Sequence, residues 1–370
     1  MGQKTEDVPI ASGEDPPGRG KPKRPNIILA PIIFWSILLS GKVADNHNPY
    51  YILAVLKMKK GISILKKTVI SVLALLVFFV VSGYLYFYIM PKGPEVTVLN
   101  PLKNGSDSFV IYAYKDSKKK SIKVWTYKPE RWKDQDKMVF VMHGGGRNAN
   151  DYLAAWIDLA ETKNLLVIAP EFENKLSNYT MNDYQEGNLP TYFGTKNPKG
   201  EWAFSVVENI FDHIKATNTI NNSSYDIFGH SAGGQFIHRM VMLMPESRIQ
   251  TAIAANAGLY TFPNHNLKYP YGMENVEYNN VLLQKAFERN LVILTGELDN
   301  DPKLGTFTTT DLAMDQGINR LERGANFFIA SRKHARANDL PFNWEIDTVL
   351  NTGHDYRKMS EQSIKWLMKE

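Results

Sequence analysis

Gly229-His230-Ser231-Ala232-Gly233-Gly234 decides how this chain of 370 residues is read. It follows a short apolar run, Tyr225-Asp226-Ile227-Phe228, and precedes a helical pattern from Gln235 to Met244. The context predicts strand, tight turn, helix. A Gly-x-Ser-x-Gly turn there holds a serine hydroxyl up at the end of a sheet, as a nucleophile elbow. The neighbours of such a serine must be small, because strand and helix pack closely around a strained turn.

Two further segments, one upstream and one downstream, complete the pattern. Met138-Val139-Phe140-Val141-Met142 reads as a buried strand and runs directly into His143-Gly144-Gly145-Gly146. Glycines after a strand let backbone N–H groups turn toward the oxygen that becomes negative when a carbonyl is attacked. Downstream, Leu291 to Gly296 reads as another buried strand and ends in Glu297-Leu298-Asp299-Asn300-Asp301. Trp344 to Leu350 alternates like a strand and reaches Asn351-Thr352-Gly353-His354-Asp355. A serine hydroxyl needs a general base, and the base needs an orienting acid. The order Ser231, Asp299, His354 matches one serine-hydrolase architecture and neither the chymotrypsin nor the subtilisin order.

Eight histidines compete for the role of base. His143 belongs to the glycine loop. His230 lies inside the elbow and is expected to point away from the nucleophile. His238 is placed in the following helix as a structural residue, and His334 in a basic helical stretch as a solvated one. His47, His213 and His265 have no strand-end context. His354 has that context and a preceding glycine for a sharp turn. For the acid, Asp299 is preferred, three residues past Gly296. Asp301, before Pro302, is the alternative, and whichever carboxylate is unused is expected to close a turn through nearby backbone.

These residues carry a family resemblance. From about Ser106 onward the chain resembles the α/β-hydrolase superfamily, and within it the polyhydroxybutyrate-depolymerase-like and feruloyl-esterase-like branch. His143-Gly144-Gly145-Gly146-Arg147-Asn148-Ala149, the elbow and Gly353-His354 carry the likeness; Ala169-Pro170-Glu171-Phe172 and Ala255-Asn256-Ala257-Gly258 are similar to flanking segments of such proteins. The resemblance implies Ser231 as nucleophile, His354 as base and Asp299 as acid. The implied oxyanion hole uses the N–H of Ala232 and of Gly145 or Gly146. Secreted members of the branch often carry disulfides, whereas this chain has no cysteine. It thus lacks thiolate metal sites and thiol catalysis as well. No metal-ligand spacing or phosphate-cradling glycine motif appears, and the implied chemistry needs no metal or organic cofactor.

Charge is unevenly distributed. Residues 1–67 hold eleven Lys or Arg against five Asp or Glu, so their +6 exceeds the +5 of the whole chain, and residues 68–370 carry −1. A nearly neutral domain has no overall pull on phosphate backbones, so nucleic acid is not an expected partner. Thr68 to Met90 contains no charged residue. As a helix it spans about 35 Å, enough to cross a bilayer core. Lys57, Lys59, Lys60, Lys66 and Lys67 precede it, which predicts a cytoplasmic N-terminus and a domain outside, periplasmic or extracellular. Residues 1–25 read as disordered, and Ile27 to Ser40 as apolar but short for a span, with Pro31 inside it; a span there would reverse the next helix and place the domain in the cytoplasm. Met58-Lys59-Lys60-Gly61 looks like the beginning of a bacterial membrane-targeting sequence, which places an alternative start at Met58.

The expected organisation is a disordered, basic segment over 1–67, a transmembrane signal anchor over 68–90, a linker over 91–105 and a catalytic domain over 106–370. Within that domain, Ser108–Tyr114 and Ile122–Lys128 read as an antiparallel hairpin joined by a turn containing Lys118-Lys119-Lys120. From Met138 onward, buried strands alternate with amphipathic helices. The expected class is α/β, a mostly parallel sheet covered by helices on both faces and preceded by one transmembrane helix. Glu171 to Gly200 and Tyr260 to Tyr278 interrupt the alternation and are expected to wall the site. Glu171, Tyr184 and Tyr192 are candidate substrate contacts there, with Tyr179 and Phe193 as further wall residues. The expected activity is hydrolysis of a small or polymeric carboxylic ester through an acyl-enzyme. The alternatives are a peptidase or amidase on the same fold, or a silent binding protein.

Overall fold

The structure is a computed structural model, and it describes residues 49–98, 100–190, 195–276, 279–303 and 306–369. The expectations for residues 1–25, Ile27–Ser40 and His47 lie outside the described residues. The chain divides into two compact units, Met1–Val81 and Ser82–Glu370.

Helix α1 (Pro49–Tyr84) is continuous. Disorder is expected up to residue 67, but the helix begins at Pro49 and passes through all five lysines before the uncharged run from Thr68. Proline suits a first helical position, and the long unbranched side chains that follow favour helix. A π-helical turn, Leu85–Ile89, follows and ends before Pro91. The span Ile52–Phe87 is long and apolar enough to cross a membrane.

In the larger unit an eight-stranded sheet has the order β1-β2-β4-β3-β5-β6-β7-β8. Strands β1 (Gly105–Tyr114) and β2 (Ser117–Lys128) form the antiparallel hairpin, and β2 also pairs antiparallel with β4 (Leu166–Glu171). The other strands are parallel: β3 (Met138–Met142), β5 (Tyr225–His230), β6 (Ile249–Ala255), β7 (Asn290–Gly296) and β8 (Glu345–Val349). Strands β3 and β5 are buried at every residue, as expected where both faces of a sheet are covered.

Helices α2 (Ala149–Lys163) and α9 (Tyr356–Leu367) cover one face. Trp156, Leu153, Met359 and Leu367 pack there on Val139, Phe228 and Val292. Helices α4 (Ala203–Asn218), α5 (Ala232–Leu243), α6 (Asn280–Phe287) and α8 (Arg320–Ala337) belong to the larger core on the other face. Two short helices, α3 (Met181–Tyr184) and α7 (Asp311–Met314), sit in connections.

Two expectations need correction. The lysine run is not the hairpin turn. Tyr114 pairs with Ser117, so Lys115 and Asp116 make the turn and Lys118-Lys119-Lys120 lies within β2. Nor is the segment over 91–105 a free linker. Lys92 N–H donates to Lys119 O at 2.7 Å, Ser121 N–H donates to Lys92 O at 2.8 Å, and Thr97 N–H donates to Val110 O at 3.1 Å. Backbone hydrogen bonds of this kind tie Lys92 and Thr97 to the hairpin.

Candidate active site

The carboxyl ends of β3, β5, β6, β7 and β8 converge on Ser231. This serine lies between β5 and α5 with φ 58° and ψ −112°. Such a conformation is strained for a residue with a side chain and persists where the surroundings enforce it. Here Ser231 N–H donates to Ala255 O at 2.9 Å. The glycines allow the close approach. A Cβ on Gly233 would collide with Met142 O, and one on Gly229 would lie 2.6 Å from the Gly233 backbone. The first turn of α5 leaves Ala232 N–H without an intrahelical acceptor.

His354 Nε2 is 3.0 Å from Ser231 Oγ, and His354 Nδ1 is 2.7 Å from Asp299 Oδ2. Three residues far apart in sequence thus form one hydrogen-bonded chain. Asp299 has no exposed surface, while the His354 side chain retains 18%. Asp301 is elsewhere: its Oδ1 accepts Lys303 N–H at 2.8 Å, closing a turn.

Of two supporting residues, Arg320 carries no local sequence signal, whereas Asn256 lies in the Ala255-Asn256-Ala257-Gly258 segment that shares the resemblance. Arg320, at the start of α8 and capped by Asn319, donates from Nη1 to Asp299 Oδ1 at 3.3 Å. It also donates from Nη2 to Thr306 O at 2.9 Å. Asn256, just past β6, joins the loops that carry Asp299 and His354. Its Oδ1 accepts Gly296 N–H at 2.7 Å, and its Nδ2 donates to Gly353 O at 3.0 Å.

The glycine loop is braced from below. Arg147 N–H donates to Gly144 O at 3.2 Å, leaving Gly145 and Gly146 within a tight turn. His143 is fully buried. Phe172 N–H donates to its Nε2 at 3.1 Å, so the ring proton is on Nδ1, 2.8 Å from Gly144 O. Burial pushes its pKa down to about 3, which keeps the ring neutral.

The residues expected to line walls are placed differently. Tyr184 is buried and donates its hydroxyl to His143 O at 2.6 Å, so it supports the loop instead of facing a substrate. Tyr179 is buried against Phe172. An aromatic-rich loop has packed its own rings inward, because that burial removes more apolar surface from water than an open wall would. Glu171 is half-buried and its Oε2 accepts the Trp125 indole N–H at 3.0 Å. Tyr192 and Phe193 lie outside the described residues. The two insertions do border a cavity of about 1080 Å³, lined by Leu189, Trp202, Tyr269 and Val276 among others, but Ser231 and His354 are not in its lining.

The remaining histidines sort by burial. His238 is buried, with Nδ1 3.0 Å from Gly234 O, and accepts Thr261 N–H on Nε2 at 3.0 Å. His334, expected to be solvated, is half-buried near Phe287. His230 packs beside His354, with ring centroids 4.5 Å apart.

Comparison with known proteins gives the same architecture. No family model matches the chain, and no curated protein matches it. Among solved structures, poly(aspartic acid) hydrolase-1 from Sphingomonas sp. KT-1 aligns with a TM-score of 0.69 and 35% identity, over 72% of this chain and 100% of that one. The poly(3-hydroxybutyrate) depolymerase LpqC from Bordetella parapertussis aligns with a TM-score of 0.67 and 28% identity, over 72% of this chain and 92% of that one. The elbow, the strand order and these two likenesses agree: the chain belongs to the α/β-hydrolase superfamily of serine hydrolases.

Proposed function

We propose that this protein is a membrane-anchored carboxylic ester hydrolase that works through an acyl-enzyme on Ser231. The observation that carries this reading is the continuous chain from Asp299 through His354 to Ser231, at 2.7 and 3.0 Å. Ser231 Oγ attacks the carbonyl carbon while its proton passes to His354 Nε2. Asp299 holds Nδ1–H and stabilises the imidazolium. The carbonyl oxygen, now negative, is received by the N–H of Ala232 and of Gly145 or Gly146. Collapse breaks the ester C–O bond, and the alcohol leaves with the proton from His354. Water, deprotonated by the same imidazole, then releases the acid and restores Ser231.

The poly(3-hydroxybutyrate) depolymerase named above supports an ester, and an ester polymer, as substrate. One observation favours a second reading, an amidase. The relative at 35% identity acts on poly(aspartic acid), whose backbone bonds are amides. The triad chemistry is common to both, and the leaving group decides. Turnover of p-nitrophenyl esters of increasing acyl length, of poly(3-hydroxybutyrate) and of poly(aspartic acid) by the full-length protein in detergent separates them. Cleavage of esters but not of poly(aspartic acid) is the expected result. Cleavage of poly(aspartic acid) alone would replace the ester reading with the amide one.

The anchor reading rests on the apolar span Ile52–Phe87 and on the five lysines that fall in its N-terminal half. It places the N-terminus in the cytoplasm and the hydrolase outside. The absence of cysteine makes the test clean. A single Lys133→Cys variant, at an exposed position, should react with an impermeant maleimide on intact cells. Reaction only after lysis would contradict the orientation.

A further inference from the structure

We propose that Tyr152 and His230 form a positioning pair that holds the glycine loop, the elbow and the base in register, an inference that rests on the triad reading above. Tyr152, on α2, is 3% exposed, and His230, the last residue of β5, is 2% exposed. Tyr152 Oη lies 3.0 Å from His230 Nδ1. The same hydroxyl abuts the glycine loop, since a Cβ built on Gly144 would fall 2.7 Å from it and 3.6 Å from Ser231 Cβ. The Tyr152 ring stacks on Tyr356, with centroids 4.2 Å apart and planes 15° from parallel. Tyr356 is two residues beyond His354. One buried tyrosine therefore touches the segment that supplies oxyanion donors, the residue before the nucleophile and the segment that carries the base.

His230 completes the arrangement. Its ring lies 4.5 Å from that of His354, tilted by 47°. Its Nε2 is buried with no hydrogen-bond partner among the described residues. A buried polar atom left unpaired is costly and is kept where the geometry serves something else. Burial and the neighbouring His354 and Arg320 hold His230 well below the usual histidine range, so it stays neutral beside a base that must become cationic. Burial likewise keeps the Tyr152 phenol protonated. A neutral, fixed ring confines His354 to the rotamer that spans Ser231 and Asp299 without opposing its charge. Misplacement of a catalytic group by about 1 Å is enough to lose much of a rate.

The test uses the full-length protein in detergent, with Tyr152→Phe, which keeps the stacked ring, His230→Phe, which keeps a ring without nitrogens, and the double variant. The readouts are kcat and KM on a soluble p-nitrophenyl ester, the rate of inactivation by a fluorophosphonate, and Tm. Each single variant should lower kcat and the inactivation rate about tenfold, roughly the factor that one hydrogen bond corresponds to. KM should change less than about twofold, and the double variant should be no worse than the poorer single one, as for residues acting as a unit. Parental kcat in Tyr152→Phe, or effects that multiply in the double variant, would overturn the proposal. Should His230→Phe not fold, the Tyr152→Phe result decides alone. Failure of the parent itself to react with the fluorophosphonate would overturn the triad reading together with this one. A reactive parent whose Tyr152→Phe variant reacts at the same rate would overturn this one only.

Discussion

Arg320 donates to Oδ1 of Asp299 in a site where the two side chains are 1% and 0% exposed. The carboxylate that orients His354 through Oδ2 is thus engaged on its other oxygen by a guanidinium. A buried carboxylate deprived of its cation becomes an unpaired buried charge, and breaking such a pair costs about 3–5 kcal/mol. Arg320→Met should therefore destabilise the protein by about that amount and lower kcat, because Asp299 loses the contact that fixes its orientation. Denaturant titration together with ester kinetics checks this. Parental stability in the variant would show that the pair contributes little.

Asn256 makes a sharper prediction, because its two hydrogen bonds face opposite ways. Asn256→Asp keeps the acceptor for Gly296 N–H and loses the donor to Gly353 O. A carboxylate then faces a carbonyl in a buried place, where an unmet polar group costs about 1–3 kcal/mol. The expected result is a fall in both Tm and kcat, with kcat falling further than the Asn256→Asp loss of stability alone explains, since Gly353 precedes the base. Unchanged kcat with reduced Tm would make Asn256 a purely structural clamp.

Gly233 tests the elbow itself. Its Cα faces Met142 O and His143 O so closely that a methyl group cannot enter without moving β3. Gly233→Ala should be destabilised by roughly 3 kcal/mol or more, in the range of overpacking and backbone strain. A folded, active Gly233→Ala protein with a parental thermal melt would contradict this close packing.

The buried histidines predict how stability depends on pH. The pKa of His143 falls from the usual histidine value to about 3 on folding, and those of His230 and His238 are pushed well below that value by burial. The unfolded chain therefore binds more protons than the native one below about pH 6.5, and native stability declines as pH falls from there toward about 3. Above about pH 6.5 these groups contribute no pH dependence. The slope is about 1.4 kcal/mol per pH unit for each such histidine. His238→Gln should flatten the slope measured by urea unfolding between pH 4 and 6, relative to the parent. An identical slope would show that His238 is protonated in the native state.

Much of this site was readable in the sequence because its chemistry is local. The elbow needs adjacent small residues, the glycine loop needs a preceding strand, and Asp299 and His354 each lie just past a buried strand. Residues that act across the fold leave no such mark. Arg320 opens a helix whose sequence reads as basic and solvated, yet its guanidinium turns inward to a carboxylate 21 positions earlier. Tyr152 sits on an amphipathic face, where an aromatic reads as core whatever its hydroxyl does. Tyr184 was misread for a related reason: loop aromatics look available until packing buries them. The lysine run is not the turn because Lys115 and Asp116 together suffice for it.

The central claim is that Ser231 is an activated nucleophile. Its most direct measurement is fluorophosphonate labelling of the full-length protein in detergent beside Ser231→Ala, with the modified residue located by mass spectrometry. The structure predicts one label per chain, on Ser231, absent from the alanine variant and suppressed in His354→Ala. A folded parent that takes no label, or one labelled at another residue, would contradict the account.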